Sequence, residues 1–477
     1  MKIKLKTTMK HRQLKQIKIP NKTTKMKKIL FSVFSLFALL MANGQNLTKV
    51  KDAITAKKYA EANTQLDEMI SNPKFQKNAD LFYLKGKIFS EIAADTSLAK
   101  NYPNAVETSL ENFKKAASMD NTKFTMAVTL EGAQALFNIY AVPYNKGVKE
   151  LEAKEYDKSL KLLQLADMSG RFIFERGLGL SPIDTNLTFY TGFAALLATK
   201  EDLAAEYFTK LANVNIAEKG FEDVYKNLMI YHFNKNNIVE FEKYRTQGLK
   251  LYPKEEYFTY DEVMFINDMR DKEERMKRIE AKVASDPTNI DALSILTEIL
   301  FGRLFDIENP FYKTEADYDA AEAKLVGLYN QMAAARPEDG LMPFNAGVVY
   351  VNKAFEMNNK ISDINDKIRK FNDSQKPDKT GKIPPPPKEL TTQREEIRSK
   401  QLASYDKGLP YLIKAQPMLE KKITDKNVAQ TYKKLISILI DIYSSKRQLS
   451  KLPADKAKFE AEENKWNKEY DRISNIH

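Results

Sequence analysis

The sequence predicts an all-α protein built from repeated helical hairpins, with a longer helical hairpin inserted near its C-terminal end. Three observations carry this expectation. Only 16 glycines and 18 prolines punctuate 477 residues, too few for the many tight turns of an all-β chain and suited to long helices. Hydrophobic residues at 43% and charged residues at 29% describe an ordinary globular composition that can bury a large core. A small–large–small pattern at helical spacing also returns several times along the chain, as internal repeats do. The absence of cysteine excludes disulfides, thiolate metal sites, cysteine nucleophiles and a lipid anchor on an N-terminal cysteine.

The first element is a leader over residues 1–44. It holds ten lysines, Arg12 and no acid, so nearly all of the net charge of +12 lies there and residues 45–477 are close to neutral. Nucleic acid is therefore not an expected partner, because phosphate binding needs a clustered basic footprint on the folded part. Lys27 and Lys28 precede an apolar run from Ile29 to Met41, followed by Ala42-Asn43-Gly44. That order reads as a signal peptide cut before Gln45. The run is 13 residues long, short of the roughly 20 that span a membrane. Residues 1–25 read as an upstream mis-start, with Met26 as the better beginning. No second long apolar segment follows, so no transmembrane segment is expected in the mature chain. The expected location is the periplasm or outer envelope of a bacterium.

The clearest repeat starts at Gly147, with Tyr156, Ser159, Leu163 and Ala166 at +9, +12, +16 and +19. These are an aromatic, a small, a large and a small slot. In this spacing the chain resembles the tetratricopeptide repeat (TPR) family, whose unit is two antiparallel helices in about 34 residues. The resemblance implies a right-handed superhelical solenoid for residues 45–477. Further copies keep the register: Tyr59, Ala62 and Leu66; Gly192, Ala204 and Phe208; and a copy around Met229 in which Phe241 replaces the small residue. In three more, the second helix arrives late. Phe82, Gly86 and Phe89 are answered by Ser109, Phe113 and Ala116, which come 11 residues later than the spacing predicts. Leu293, Leu296 and Leu300 are answered by Tyr318, Ala321 and Leu325, and Gly347 and Tyr350 by Tyr405, Gly408, Leu412 and Ala415. Added length in the same turn of successive hairpins is expected to share one edge.

The longest addition, residues 357–400, has a heptad seam of Met357, Ile361, Ile364, Ile368 and Phe371. Leu390 and Ile397 supply the returning side, and Pro384–Pro387 form a non-helical tip. Residues 426–473 read as capping helices with a charged outer face. Residues 171–182, with Gly177 and Gly179, fit no repeat and read as a loop ending at a helix cap on Asp184 or Thr185.

Catalytic chemistry has few parts here. Of three histidines only His232 lies between the leader and the last residue, and it falls in an aromatic packing slot. No phosphate-binding glycine loop, HExxH or EF-hand motif occurs, so no catalytic residue, metal or cofactor is expected. The resemblance implies instead a binding face on the first helices, three before and one or four after each small slot. That gives Tyr83 and Lys87, Tyr144 and Val148, Phe189 and Phe193, Lys226 and Ile230, and Phe344 and Val348, toward a protein or peptide partner. The expected role is a scaffold or adaptor in envelope assembly or secretion machinery. An outer-surface glycan-binding protein and a carboxylate-dependent enzyme are the two alternative readings.

Overall fold

A computed structural model describes residues 44–306, 311–376 and 383–474. The leader up to Asn43 lies outside the described residues, while Gly44 and Gln45, on either side of the expected cut, are the first residues of the first helix. Among those described there is no strand, and no helix is long and apolar enough to cross a membrane. The chain divides into two compact units, residues up to Glu262 and residues from Val263.

Among the described residues the N-terminal unit holds five hairpins: α1 (Gly44–Thr55) with α2 (Tyr59–Ser71), α3 (Ala79–Ala94) with α4 (Ala105–Met119), α6 (Gln134–Glu152) with α7 (Tyr156–Phe174), α8 (Thr185–Leu197) with α9 (Glu201–Asn213), and α10 (Glu222–Asn234) with α11 (Ile238–Leu251). An extra helix, α5 (Asn121–Glu131), stands between the second and third. Three of these hairpins, those begun by α3, α6 and α8, close where the sequence places a glycine opposite a large residue. A Cβ on Gly147 would lie 2.8 Å from Leu163 Cγ, and one on Gly192 would lie 2.7 Å from the Phe208 ring. The missing Cβ lets the large side chain lie on the helix backbone, so the axes approach closely. A serine one turn earlier fastens the contact: Ser159 Oγ donates to the Gly147 carbonyl at 2.8 Å.

The delayed second hairpin obeys the same rule. Ser109 Oγ donates to the Gly86 carbonyl at 2.6 Å, and Phe113 covers Gly86. The added residues between α3 and α4 include a short 3-10 turn, Ala99–Asn101. Register is thus set by the steric pair and not by the length of the connection.

Four of the turns repeat a geometry that glycine would have advertised. Lys57, Lys154, Thr199 and Asn236 have φ of 58°, 65°, 60° and 55°. The following residues Lys58, Glu155, Lys200 and Asn237 donate backbone N–H bonds five residues back, to Ala53, Glu150, Ala195 and His232. This is the Schellman ending of a helix. A β-branched residue is the most strained occupant of a left-handed position. Thr199→Gly is therefore expected to raise stability by about 1 kcal/mol, read as a higher urea midpoint. An unmoved or lower midpoint would remove the strain argument.

After α7 the chain departs slightly from the expected loop, because Arg171–Phe174 continues the helix. The left-handed residues begin at Gly177, Gly179 and Leu180. Asp184 then caps α8, its side chain accepting from the Leu187 N–H at 2.8 Å.

The C-terminal unit runs through α12 (Glu262–Asn267), α13 (Lys272–Ser285), α14 (Ile290–Leu304), α15 (Glu315–Ala335), α16 (Leu341–Ser374), α17 (Lys388–Glu420), α18 (Lys426–Leu449) and α19 (Pro453–Ser474). The inserted hairpin is not a separate module. It prolongs the repeat's own helices, so that α16 is 34 residues long and α17 is 33. Ile361, Ile364 and Ile368 are buried along the seam, while Pro384–Pro387 stay outside any helix. At its base Gln401, almost fully buried, donates to the Ala354 carbonyl at 3.2 Å and to Asn358 Oδ1 at 2.5 Å. That polar layer admits only one register of the two helices. Tyr405, Leu412, Leu439, Ile442 and Trp466 form the core below it.

Candidate partner-binding surface

The first-helix stripe comes together in the N-terminal unit, but most of it is covered by other segments of the same chain. Tyr83 packs edge-on against Phe124 of α5 at 5.8 Å, and Phe124 also meets Phe113 and Phe172. The Tyr83 hydroxyl lies 3.5 Å from Glu131 Oε2, while Lys87 is ion-paired with that carboxylate at 2.6 Å. Burial, and then the charge of Glu131, raise the Tyr83 phenol above its ordinary range. Further along, Tyr144 lies between Tyr140 and Tyr190 with Val148 buried beside it. Phe189 meets Phe193 at 4.8 Å and Phe221 at 5.0 Å. Lys226 is held by Glu255 at 2.8 Å, in the segment that follows α11.

Tyr83, Tyr144, Val148, Phe189, Phe193 and Phe344 are thus buried packing residues. A partner could touch Tyr83 only by displacing α5, and Phe189 only by displacing the chain around Phe221. Lys87, Lys226, Ile230 and Val348 keep partial exposure, and Val348 packs against the C-terminal core. The physical reason is local to the fold: an apolar stripe in water recruits whatever chain is within reach. His232 behaves likewise, stacking on Tyr244 at 5.4 Å with its imidazole pKa depressed by burial. Among the described residues, no group of three histidines, aspartates or glutamates could hold a metal.

In the C-terminal unit the two expected additions do share an edge. Lys400 at the root of the long hairpin pairs with Glu315, just after the shorter addition, at 2.8 Å. Beneath this edge Lys353 is paired with Asp319 at 2.6 Å and Glu322 at 3.4 Å. Burial outweighs Lys353 and raises the Glu322 carboxyl. A carboxyl raised on folding contributes stability that is present below its ordinary range and lost as pH rises through the raised value. Glu322→Gln is accordingly expected to be more stable than the parent at pH 7, with the difference closing as pH falls. Urea midpoints at several pH values decide it; a parallel pair of curves is the adverse result.

No protein family model matches the chain, and no curated protein sequence matches it. Solved structures similar to it include the TPR domain of P58(IPK), at 11% identity and a TM-score of 0.19, over 83% of this chain and 98% of that one. The Naa15/Naa10 complex bound to HypK-THB gives 12% identity and a TM-score of 0.19, over 90% and 67%. Yeast Tom70 gives 12% and 0.15, over 90% and 96%. TM-scores this low add no weight. The assignment rests on the glycine–large residue pairs, the serine fasteners and the repeated hairpin turn, and by these the chain is an all-α array of TPR-like helical hairpins.

Proposed function

We propose that this protein is an exported, non-enzymatic scaffold of the bacterial envelope that binds another protein, in assembly or secretion machinery. The observation supporting it most directly is the long α16/α17 hairpin. Its inner seam is sealed by isoleucines, its outer residues, among them Asp366, Lys367, Arg369, Lys370, Glu395 and Glu396, are exposed, and a polar layer fixes its root. An arm that prolongs two repeat helices presents a charged surface, and its removal should leave the core below it intact. Between residues 376 and 388 lysines outnumber acids four to one, so the tip would steer toward an acidic partner surface.

The test removes residues 360–399 and closes the gap with a short Gly/Ser linker. The shortened protein is expected to fold and to lose partners that the full chain captures from native envelope. Retention of every partner would overturn the recognition role, and failure to fold would overturn the arm's independence. Export has its own measurement: the native protein should begin at Gln45, and an N-terminus before Ile29 contradicts cleavage.

A further inference from the structure

Where the two additions of the C-terminal unit meet, they enclose a cleft of about 380 Å³ whose wall includes Arg303, Phe311, Tyr312, Tyr318, Glu356 and Asp363. Three aromatic rings supply its apolar surface, and the Phe311 ring is nearly half exposed beside Tyr312. The Arg303 guanidinium lies over the Phe311 ring at 4.2 Å and is ion-paired with Glu273 at 2.8 Å, so its charge is already matched.

The Tyr318 hydroxyl oxygen is enclosed and has no hydrogen-bond partner among the described residues. Buried polar groups are seldom left in that condition. Its surroundings are strongly acidic. Glu356, Glu322 and Asp319 add to burial in raising the phenol's pKa, and Lys353, the cation over its ring at 4.8 Å, is engaged by Asp319 and Glu322. Glu356, half-buried in the wall, has its carboxyl raised by burial despite Lys360 and Lys353. Asp363 adds one more carboxylate to the lining, against Lys360.

A ligand that settles these groups carries positive charge at the end of an apolar stem. Its N–H groups would donate to Glu356, and its methylenes would lie on the rings. An anion would meet excess carboxylate, and a neutral apolar group would give the half-buried Glu356 carboxyl no donor.

We propose that this cleft binds an alkylammonium or guanidinium group, supplied as a lysine or arginine side chain of the partner. The inference rests on the scaffold reading and places a basic anchor at the root of the arm. The shared chemistry also admits a free diamine, and the two sources are separable.

Ligand-observed NMR on the full chain tests it with four probes: N-acetyl-lysine methylamide, N-acetyl-arginine methylamide, the neutral norleucine counterpart, and 1,4-diaminobutane. At least one of the two basic amides is expected to bind and the norleucine amide not to. Glu356→Gln should weaken binding about tenfold, the size of one charge-assisted hydrogen bond, without lowering Tm. Equal binding of norleucine, or indifference to Glu356→Gln, overturns the site. Binding of the diamine alone overturns the side-chain source. Should a variant lose Tm as well, Lys360→Ala serves in its place: removing the competing cation should tighten the basic amide, and weaker binding overturns the site. Partner capture by a full chain that binds no basic amide rejects the cleft and leaves the scaffold reading standing. Amide binding without any capture rejects the scaffold reading.

Discussion

Gly408→Val is expected to cost about 3 kcal/mol, the upper end of what an overpacked core position shows. A Cβ at Gly408 would stand 2.9 Å from the Gly347 carbonyl oxygen and 3.2 Å from Tyr350 Cβ. The nearest obstacle is backbone, which cannot swing aside as the end of a side chain can. The contact is reciprocal, since a Cβ at Gly347 would meet Leu412 at 2.7 Å and the Gly408 carbonyl oxygen at 3.2 Å. Valine also adds a β-branch to a helix interior. Gly327→Ala is the control: it lies within α15 with nothing near its Cβ position, and it should gain up to about 1 kcal/mol from helix propensity alone. The chain's one tryptophan makes both readable. Trp466 is buried in the C-terminal core, so its fluorescence follows that unit's unfolding in urea. A midpoint for Gly408→Val equal to that of the parent would mean that the two helices do not meet at these glycines.

The second large effect is expected at Phe124→Ala, costing about 3 to 5 kcal/mol in the stability of the N-terminal unit's packing. Of α5 only Phe124 and Val128 are buried, while Met126 and Leu130, on the other side, are 57% and 69% exposed. Such a helix is held by one ring that contacts Tyr83, Phe113 and Phe172. Without it α5 should undock, uncovering Tyr83 and separating Glu131 from Lys87. Amide hydrogen exchange over residues 121–131 should accelerate, and the Tyr83 phenol should titrate nearer its ordinary value as burial and the Glu131 charge are removed. Unchanged exchange in that stretch would show that α5 is held by something other than Phe124.

These two substitutions mark different degrees of legibility. Gly408 and Leu412 can be placed against Gly347 by counting residues, even across the long insertion, because a missing Cβ opposite a large side chain is a steric rule written into residue identity. The same holds for Gly86, Ser109 and Phe113. The buried fate of Tyr83, Phe189 and Phe193 cannot be counted out in this way. Their spacing describes a binding stripe, and nothing in it says that Phe124, Phe221 or the chain near Glu255 will fold across. The hairpin turns are hidden too, since Lys57, Lys154, Thr199 and Asn236 hold left-handed positions without the glycine that normally marks them.

The amino-acid sequence by itself determined the helical hairpins, their register and the place where the long arm leaves the array. All three follow from side-chain size at fixed helical offsets. Only the tertiary structure decided which faces are covered, that the arm continues the repeat's own helices, and that Tyr318 and Glu356 line one cleft. Exposure is a property of everything that packs against a residue, and segments dozens of positions away compete for the same apolar surface. Contacts within a hairpin depend on a short stretch of chain, whereas the covering of its surface depends on the whole unit.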